Sequence, residues 1–151
     1  MTYLYDVRDQ LTQESRTPGV ATSWTYDIAG RRTIQSVAGV ATSYAYDRAD
    51  QLLNSYSSGL VTTYAYDVNG STLLVQTPTN QLTTYAWDAL NRLRNVTLPN
   101  GISSNHVYRF DDLLDNIQTA QGTRQLIWEG GSVLATVTPV SGGELSRTQT
   151  D

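Results

Sequence analysis

The chain has 151 residues with 14 acidic and 10 basic side chains, so its formal charge is −4. All ten basic residues are arginine, and they form no cluster of the kind that nucleic-acid binding requires. The lack of cysteine excludes disulfides and thiolate sites, the single His106 excludes a poly-histidine metal site, and no apolar run approaches the roughly 18 residues of a membrane span.

An aromatic residue followed by aspartate recurs at a nearly constant interval. The pairs are Tyr5-Asp6, Tyr26-Asp27, Tyr46-Asp47, Tyr66-Asp67 and Trp87-Asp88. A second series with the same spacing consists of Gly19, Gly39, Gly59, Asn80, Gly101 and Gly122. Two series of recurring residues with the same spacing indicate an internal repeat of about 20 residues.

Each repeated aspartate begins a short segment whose fourth residue is Gly, Asn or Asp, as in Asp67-Val68-Asn69-Gly70. Its carboxylate can accept a backbone N–H two residues on and fix a type I turn. The fourth residue is of the kind that tolerates positive φ. We therefore predict structural turns at five aspartates, closed by Gly30 and Gly70 in two cases: Asp6, Asp27, Asp47, Asp67 and Asp88.

The stretches between turns have the length and composition of β-strands. Two turns in each repeat leave about six to eight residues for each strand. Thr, Val and Tyr are frequent, and no long stretch shows the apolar period of a helix. The sequence predicts an all-β fold, an antiparallel meander of repeated β-hairpins.

Alternation along the strands places two aromatic side chains of each repeat on one face of the sheet. The first row contains Tyr3, Trp24, Tyr44, Tyr64 and Tyr85. The second row contains Tyr5, Tyr26, Tyr46, Tyr66 and Trp87. A degenerate sixth copy at Tyr108-Arg109-Phe110-Asp111 would add Tyr108 to the first row and Phe110 to the second.

The repeated motif is aromatic-x-aromatic-Asp-x-x-Gly/Asn/Asp-Arg/Gln-Leu, as in Tyr44 to Leu52 and Tyr85 to Leu93. Over residues 1–120 it resembles the YD repeat of the Rhs family, which includes polymorphic bacterial toxins, shell-forming components of insecticidal toxin complexes and animal teneurins. The resemblance implies strands coiled into a hollow shell, which in bacterial members encloses a C-terminal toxic domain. The chain has no Asp-Pro pair, so no residues of the family's autoprotease carry over.

The pattern divides the chain into three parts. Residues 1–125 are predicted to be the repeat array of about six copies, 126–138 an additional hairpin, and 139–151 a Gly/Ser/Thr-rich tail cut within a longer array. The N-terminal residues show no signal peptide. The resemblance nevertheless implies secretion or display at the cell surface.

Two classes of function follow from these features. The preferred one is a non-enzymatic structural segment of a shell, because repetition builds surface without creating one asymmetric reaction centre. The alternative is a module that binds carbohydrate or a cell-surface partner along the aromatic rows. Asp67 to Gly70 echoes the start of an EF-hand loop, but the later ligands are missing.

We accordingly predict no catalytic residue, no metal and no cofactor. The expected partners are neighbouring repeats, an enclosed toxin domain as the resemblance implies, and, for the alternative, a glycan. Open strand edges also predict self-association.

Overall fold

The computed structural model describes residues 1–16, 19–139 and 145–149, and the regular elements in those ranges are all β-strands. The chain forms two compact units, Met1–Gln81 and Leu82–Asp151. Each unit is an antiparallel meander in which consecutive strands pair. The predicted all-β fold is confirmed, while the predicted division at residues 125 and 138 concerns the sequence pattern and stays a prediction.

The first unit contains eight strands, each paired with the next along the chain. They are β1 (Thr2–Tyr5), β2 (Leu11–Ser15), β3 (Thr22–Tyr26), β4 (Arg32–Val37), β5 (Val40–Tyr46), β6 (Leu52–Ser57), β7 (Leu60–Tyr66) and β8 (Thr72–Gln76). Residues 17 and 18, which precede Gly19 of the second series, lie outside the described part of the chain.

The second unit contains seven strands with the same antiparallel order. They are β9 (Leu82–Trp87), β10 (Leu93–Thr97), β11 (Ser103–Tyr108), β12 (Leu114–Thr119), β13 (Gly122–Glu129), β14 (Ser132–Pro139) and β15 (Leu145–Gln149). The hairpin expected within 126–138 lies in β13 and β14, which a turn at Gly130 and Gly131 joins. Of the expected tail, residues 140–144, 150 and 151 lie outside the described residues.

Each hairpin has two ends that differ in construction. We call the turns that begin at the repeated aspartates, and at Arg109 in the sixth copy, the Asp ends. The opposite ends in the described residues include those at 38–39, 58–59, 77–80, 98–101 and 120–121. At 38–39 and 58–59 the two central residues both have positive φ, as a type I′ hairpin turn requires. A β-bulge shifts the strand register just before every Asp end.

The units have little buried core. Among the described residues no large side chain is fully buried, and Ala135 is the buried apolar residue. Along β3 half-buried residues alternate with exposed ones, so that Trp24 and Tyr26 share the covered face. With so few enclosed side chains, stability depends on contacts between neighbouring strands.

Candidate functional site

The repeated aspartates hold the turns at the Asp ends. The Oδ1 atom of Asp47 accepts hydrogen bonds from the N–H groups of Ala49 at 2.8 Å and Gln51 at 2.9 Å. One carboxylate oxygen therefore satisfies two donors of the turn. In addition, the backbone N–H of Asp47 donates a hydrogen bond to the carbonyl of Gln51. The same pair of bonds from the second and fourth following residues is made by Asp6, Asp27, Asp67 and Asp88.

The fourth residue of each Asp end has a left-handed backbone. Gly30 and Gly70 have φ values of 85° and 86°, and the N–H of each donates to the carbonyl of the aspartate that begins its turn. Asp9, Asp50 and Asn91 occupy the same place with φ between 60° and 63°. A type I turn followed by a left-handed residue joins antiparallel strands without splaying them.

The second aromatic row links successive repeats through its polar atoms. The Tyr46 hydroxyl donates to the backbone carbonyl of Arg32 at 2.9 Å. Equivalent bonds run from Tyr26 to Leu11, from Tyr66 to Leu52 and from Tyr108 to Leu93. Trp128 extends the second row, since it stands at the same register shift in β13 and its indole N–H donates to the Leu114 carbonyl. The sequence analysis missed this role, although the available signal was that the residue before each repeated aspartate is Tyr or Trp and never Phe.

The sixth copy is aligned differently from the prediction. Arg109 takes the place of the repeated aspartate, and the N–H of Asp112, whose φ is 65°, donates to the Arg109 carbonyl. Tyr108 therefore belongs to the second row and His106 takes its place in the first. Phe110 lies at the turn tip with 97% of its surface exposed, so its assignment to a row was wrong. The turn needs a left-handed fourth residue and the row needs a hydrogen-bond donor, which Phe lacks.

Most rings of the first row are half-buried. Trp24, Tyr44, Tyr64 and Tyr85 are all partly covered, whereas Tyr3 on β1 is exposed, as is Tyr5 of the second row on the same strand. The Tyr44 hydroxyl donates to Oε1 of Gln35 at 3.1 Å, and the guanidinium of Arg32 lies over the Tyr44 ring at 4.5 Å. Covering one ring face by a cation leaves less of that ring open to a ligand.

Three arginines bridge neighbouring turns, two of them through ion pairs. Arg8 donates to the backbone carbonyl of Ile28 at 2.9 Å. Arg31 binds Asp27 at 2.7 Å and reaches Asp50 of the next Asp end at 2.9 Å. Arg92 joins Asp88 and Asp112 in the same way, at 2.7 and 2.6 Å.

The bridges perturb the ionisation of the turn carboxyls. The Arg31 side chain, donating to Asp27, lowers the pKa of that carboxyl. Hydrogen bonds from the Arg92 backbone and side chain lower the pKa of Asp88 in the same direction. These shifts have a structural cause and need no catalytic explanation.

The acidic side chains near the sixth copy are each bound to a different partner among the described residues. Asp111 pairs with Arg109, Asp112 pairs with Arg92, and Asp115 accepts from Asn116. In the described ranges no three His, Cys, Asp or Glu side chains are placed to hold a metal ion. The same ranges contain no helix of the length and apolarity that a membrane crossing requires.

The comparison with protein families matches this geometry. The family model described as the teneurin YD-shell covers residues 1–147. The chain belongs to the YD-shell family. No curated protein matches it.

Solved structures share the fold of this YD-shell chain. The crystal structure of TcdB2-TccC3-Cdc42 superimposes with a TM-score of 0.73 at 14% identity, covering 97% of this chain and 9% of that one. The structure of a Photorhabdus luminescens Tc holotoxin pore with a mutated TccC3 gives 0.56 at 10% identity, covering 99% of this chain and 12% of that one. The YD-shell chain thus spans about a tenth of the length of the chains it matches.

Proposed function

We propose that this chain is a non-enzymatic wall segment of an Rhs/YD-repeat shell, which encloses or scaffolds a larger secreted protein of the toxin type. The observation that carries the proposal is the repeated bond from a second-row side chain to the backbone of the preceding repeat. Each repeat is held by its neighbours, so surface grows by addition of repeats. A wall requires this property, whereas a reaction centre requires one dissimilar site.

The partners of the proposed wall follow from the family. Neighbouring repeats form its lateral contacts, and an enclosed toxin domain would be its cargo in the full-length protein. Secretion or surface display fits such a cargo. A carbohydrate-binding role is not part of the proposal, because most rings of the two aromatic rows are half-buried and several second-row hydroxyls already donate to backbone carbonyls.

Protease protection in the full-length parent protein tests enclosure. We expect any domain encoded beyond the array to resist trypsin while the shell is intact, and to be digested once urea has opened it. Electron microscopy of the same sample is expected to show a hollow particle. Digestion of that domain at one rate in the intact and opened states would contradict the proposal. Purified domain without the array serves as the control for intrinsic resistance.

The edge of the array offers a second test in the isolated chain. In its unit β1 pairs with β2 alone, so the other side of β1 presents unpaired backbone groups. Such edges pair with other strands. We expect light scattering to show dimers or larger assemblies whose mass rises with concentration. The Leu4 carbonyl accepts from Thr12 of β2, so the backbone of the adjacent Tyr3 faces the open edge. Tyr3→Pro should therefore shift the chain toward monomer, and a strict monomer across the concentration range would count against edge pairing.

A further inference from the structure

Neighbouring Asp ends contact each other through side-chain bonds to backbone carbonyls, from Arg8 to Ile28 and from Arg31 to Asp47, and through one recurring pair of side-chain positions. Counting the aspartate as position zero, the residue at +4 of one turn reaches the residue at +3 of the next. Arg31 meets Asp50 in this way, and Arg92 meets Asp112. The contacts span 19 and 20 residues of sequence and join consecutive repeats.

The two positions vary together within the units. Where +4 is arginine, +3 of the next turn is aspartate. Where +4 is glutamine, the next +3 is glycine, as in Gln10 with Gly30 and Gln51 with Gly70. A Cβ atom at Gly30 would lie 3.2 Å from the Gln10 amide nitrogen, and one at Gly70 would lie 3.0 Å from that of Gln51. Glycine thus leaves room for the amide, while aspartate supplies a charge for the guanidinium.

We propose that the +4 and +3 side chains form a recognition pair that holds neighbouring Asp ends in register. The pair Arg–Asp matches by charge and the pair Gln–Gly matches by space. The short turns already fix which repeat follows which, and backbone pairing between strands is the same for every repeat. The side-chain pair therefore adds specificity at the Asp ends, where a matched pair stabilises the contact and a mismatched pair weakens it, in the way that complementary charges fix register in other repetitive assemblies. This inference goes beyond the wall function and does not depend on enclosure.

Two matched substitutions test the charge pair in the full chain. Asp50→Asn and Asp9→Asn make the same change at +3 with the same left-handed backbone, but Asp50 faces an arginine and no ion pair to Asp9 occurs in the described residues. We expect Asp50→Asn to lower the melting temperature by about 1–3 °C and Asp9→Asn to leave it within about 0.5 °C. The difference should shrink in 1 M NaCl. Equal shifts at both positions would overturn the proposal.

Replacing a Gln–Gly pair by an Arg–Asp pair tests the matching of the two positions directly. Gln51→Arg and Gly70→Asp, made singly, each create one half of an Arg–Asp pair, and together they create a complete one. We expect the double variant to melt about 1–3 °C above the sum of the single shifts. Arg48→Gln changes the net charge by one unit at an exposed turn position without an ion pair in the described residues, and so reports the effect of net charge alone. Additive shifts in this cycle would overturn the recognition pair even if the first comparison were ambiguous.

Discussion

The two ends of each hairpin reach the same result, a reversal of the chain, by different means. At the Asp ends a carboxylate binds two backbone N–H groups, an aromatic side chain binds the preceding repeat, and in three cases an arginine reaches the next turn. At the opposite ends at 38–39 and 58–59 the reversal depends on two positive φ angles. The difference teaches that side chains hold the Asp ends to their neighbours, whereas the turns at 38–39 and 58–59 depend on backbone conformation.

The largest contrast is expected between two tyrosines beside the two ends. Tyr46 is half-buried and donates to Arg32, while Tyr56, near the opposite end, is 49% exposed. We expect Tyr46→Ala to lower the free energy of unfolding by about 2–4 kcal/mol. Tyr56→Ala should lower it by less than about 1 kcal/mol. Urea denaturation measures both, and equal losses would remove the distinction between the ends.

The next contrast concerns the side chains that accept turn N–H groups. Asp47 accepts two such bonds, and Thr77 at an opposite end accepts one, from Gln81 at 3.3 Å. We expect Asp47→Ala to cost about 0.5–2 kcal/mol, by analogy with the loss of a capping side chain. Thr77→Ala should cost a few tenths of a kcal/mol. Asp47→Asn is the control, because its amide oxygen remains an acceptor and should retain most of the stability.

A glycine substitution at an opposite end tests whether backbone strain is present in that turn. Ser58 has a φ of 51° at an opposite end, where an L side chain adds backbone strain. We expect Ser58→Gly to raise the free energy of unfolding by up to about 1 kcal/mol, the strain relieved less the added entropy of the unfolded chain. Thermal melting measures the change. Ser55→Gly, inside β6, is the control and should destabilise. A loss at Ser58 would mean that its side chain stabilises the turn.

Acid should destabilise the Asp ends and not the opposite ends, and this is the smallest of the expected changes in stability. The folded pKa values of Asp27 and Asp88 lie below their ordinary range, so the unfolded chain takes up protons first as pH falls. Their stabilisation is present above about pH 4 and is lost below it. The opposite ends at 38–39, 58–59, 77–80 and 98–101 contain no carboxylate. Melting temperatures from pH 6 to 2 should fall less in the double variant Asp27→Asn with Asp88→Asn. An identical fall would assign the acid sensitivity to other groups.

Sequence reasoning reached the fold because its signals are local. The recurrence of Tyr-Asp predicts turns, alternation along β5 predicts a strand with one covered face, and both need only a few neighbouring residues. The row assignment in the sixth copy was wrong because local signals alone could not align that copy. Tyr108 and Phe110 are equally plausible ring positions by composition, and the left-handed Asp112 decided between them.

The sequence by itself determined the period, the antiparallel meander and the family of this protein. The tertiary structure alone decided which atoms join one repeat to the next, such as Tyr46 to Arg32 and Arg31 to Asp50. Those contacts depend on the register between strands of neighbouring hairpins, such as Ile34 of β4 opposite Ser43 of β5. A period in sequence fixes how often a unit occurs, but the distance between side chains of adjacent units exists only after the strands have paired.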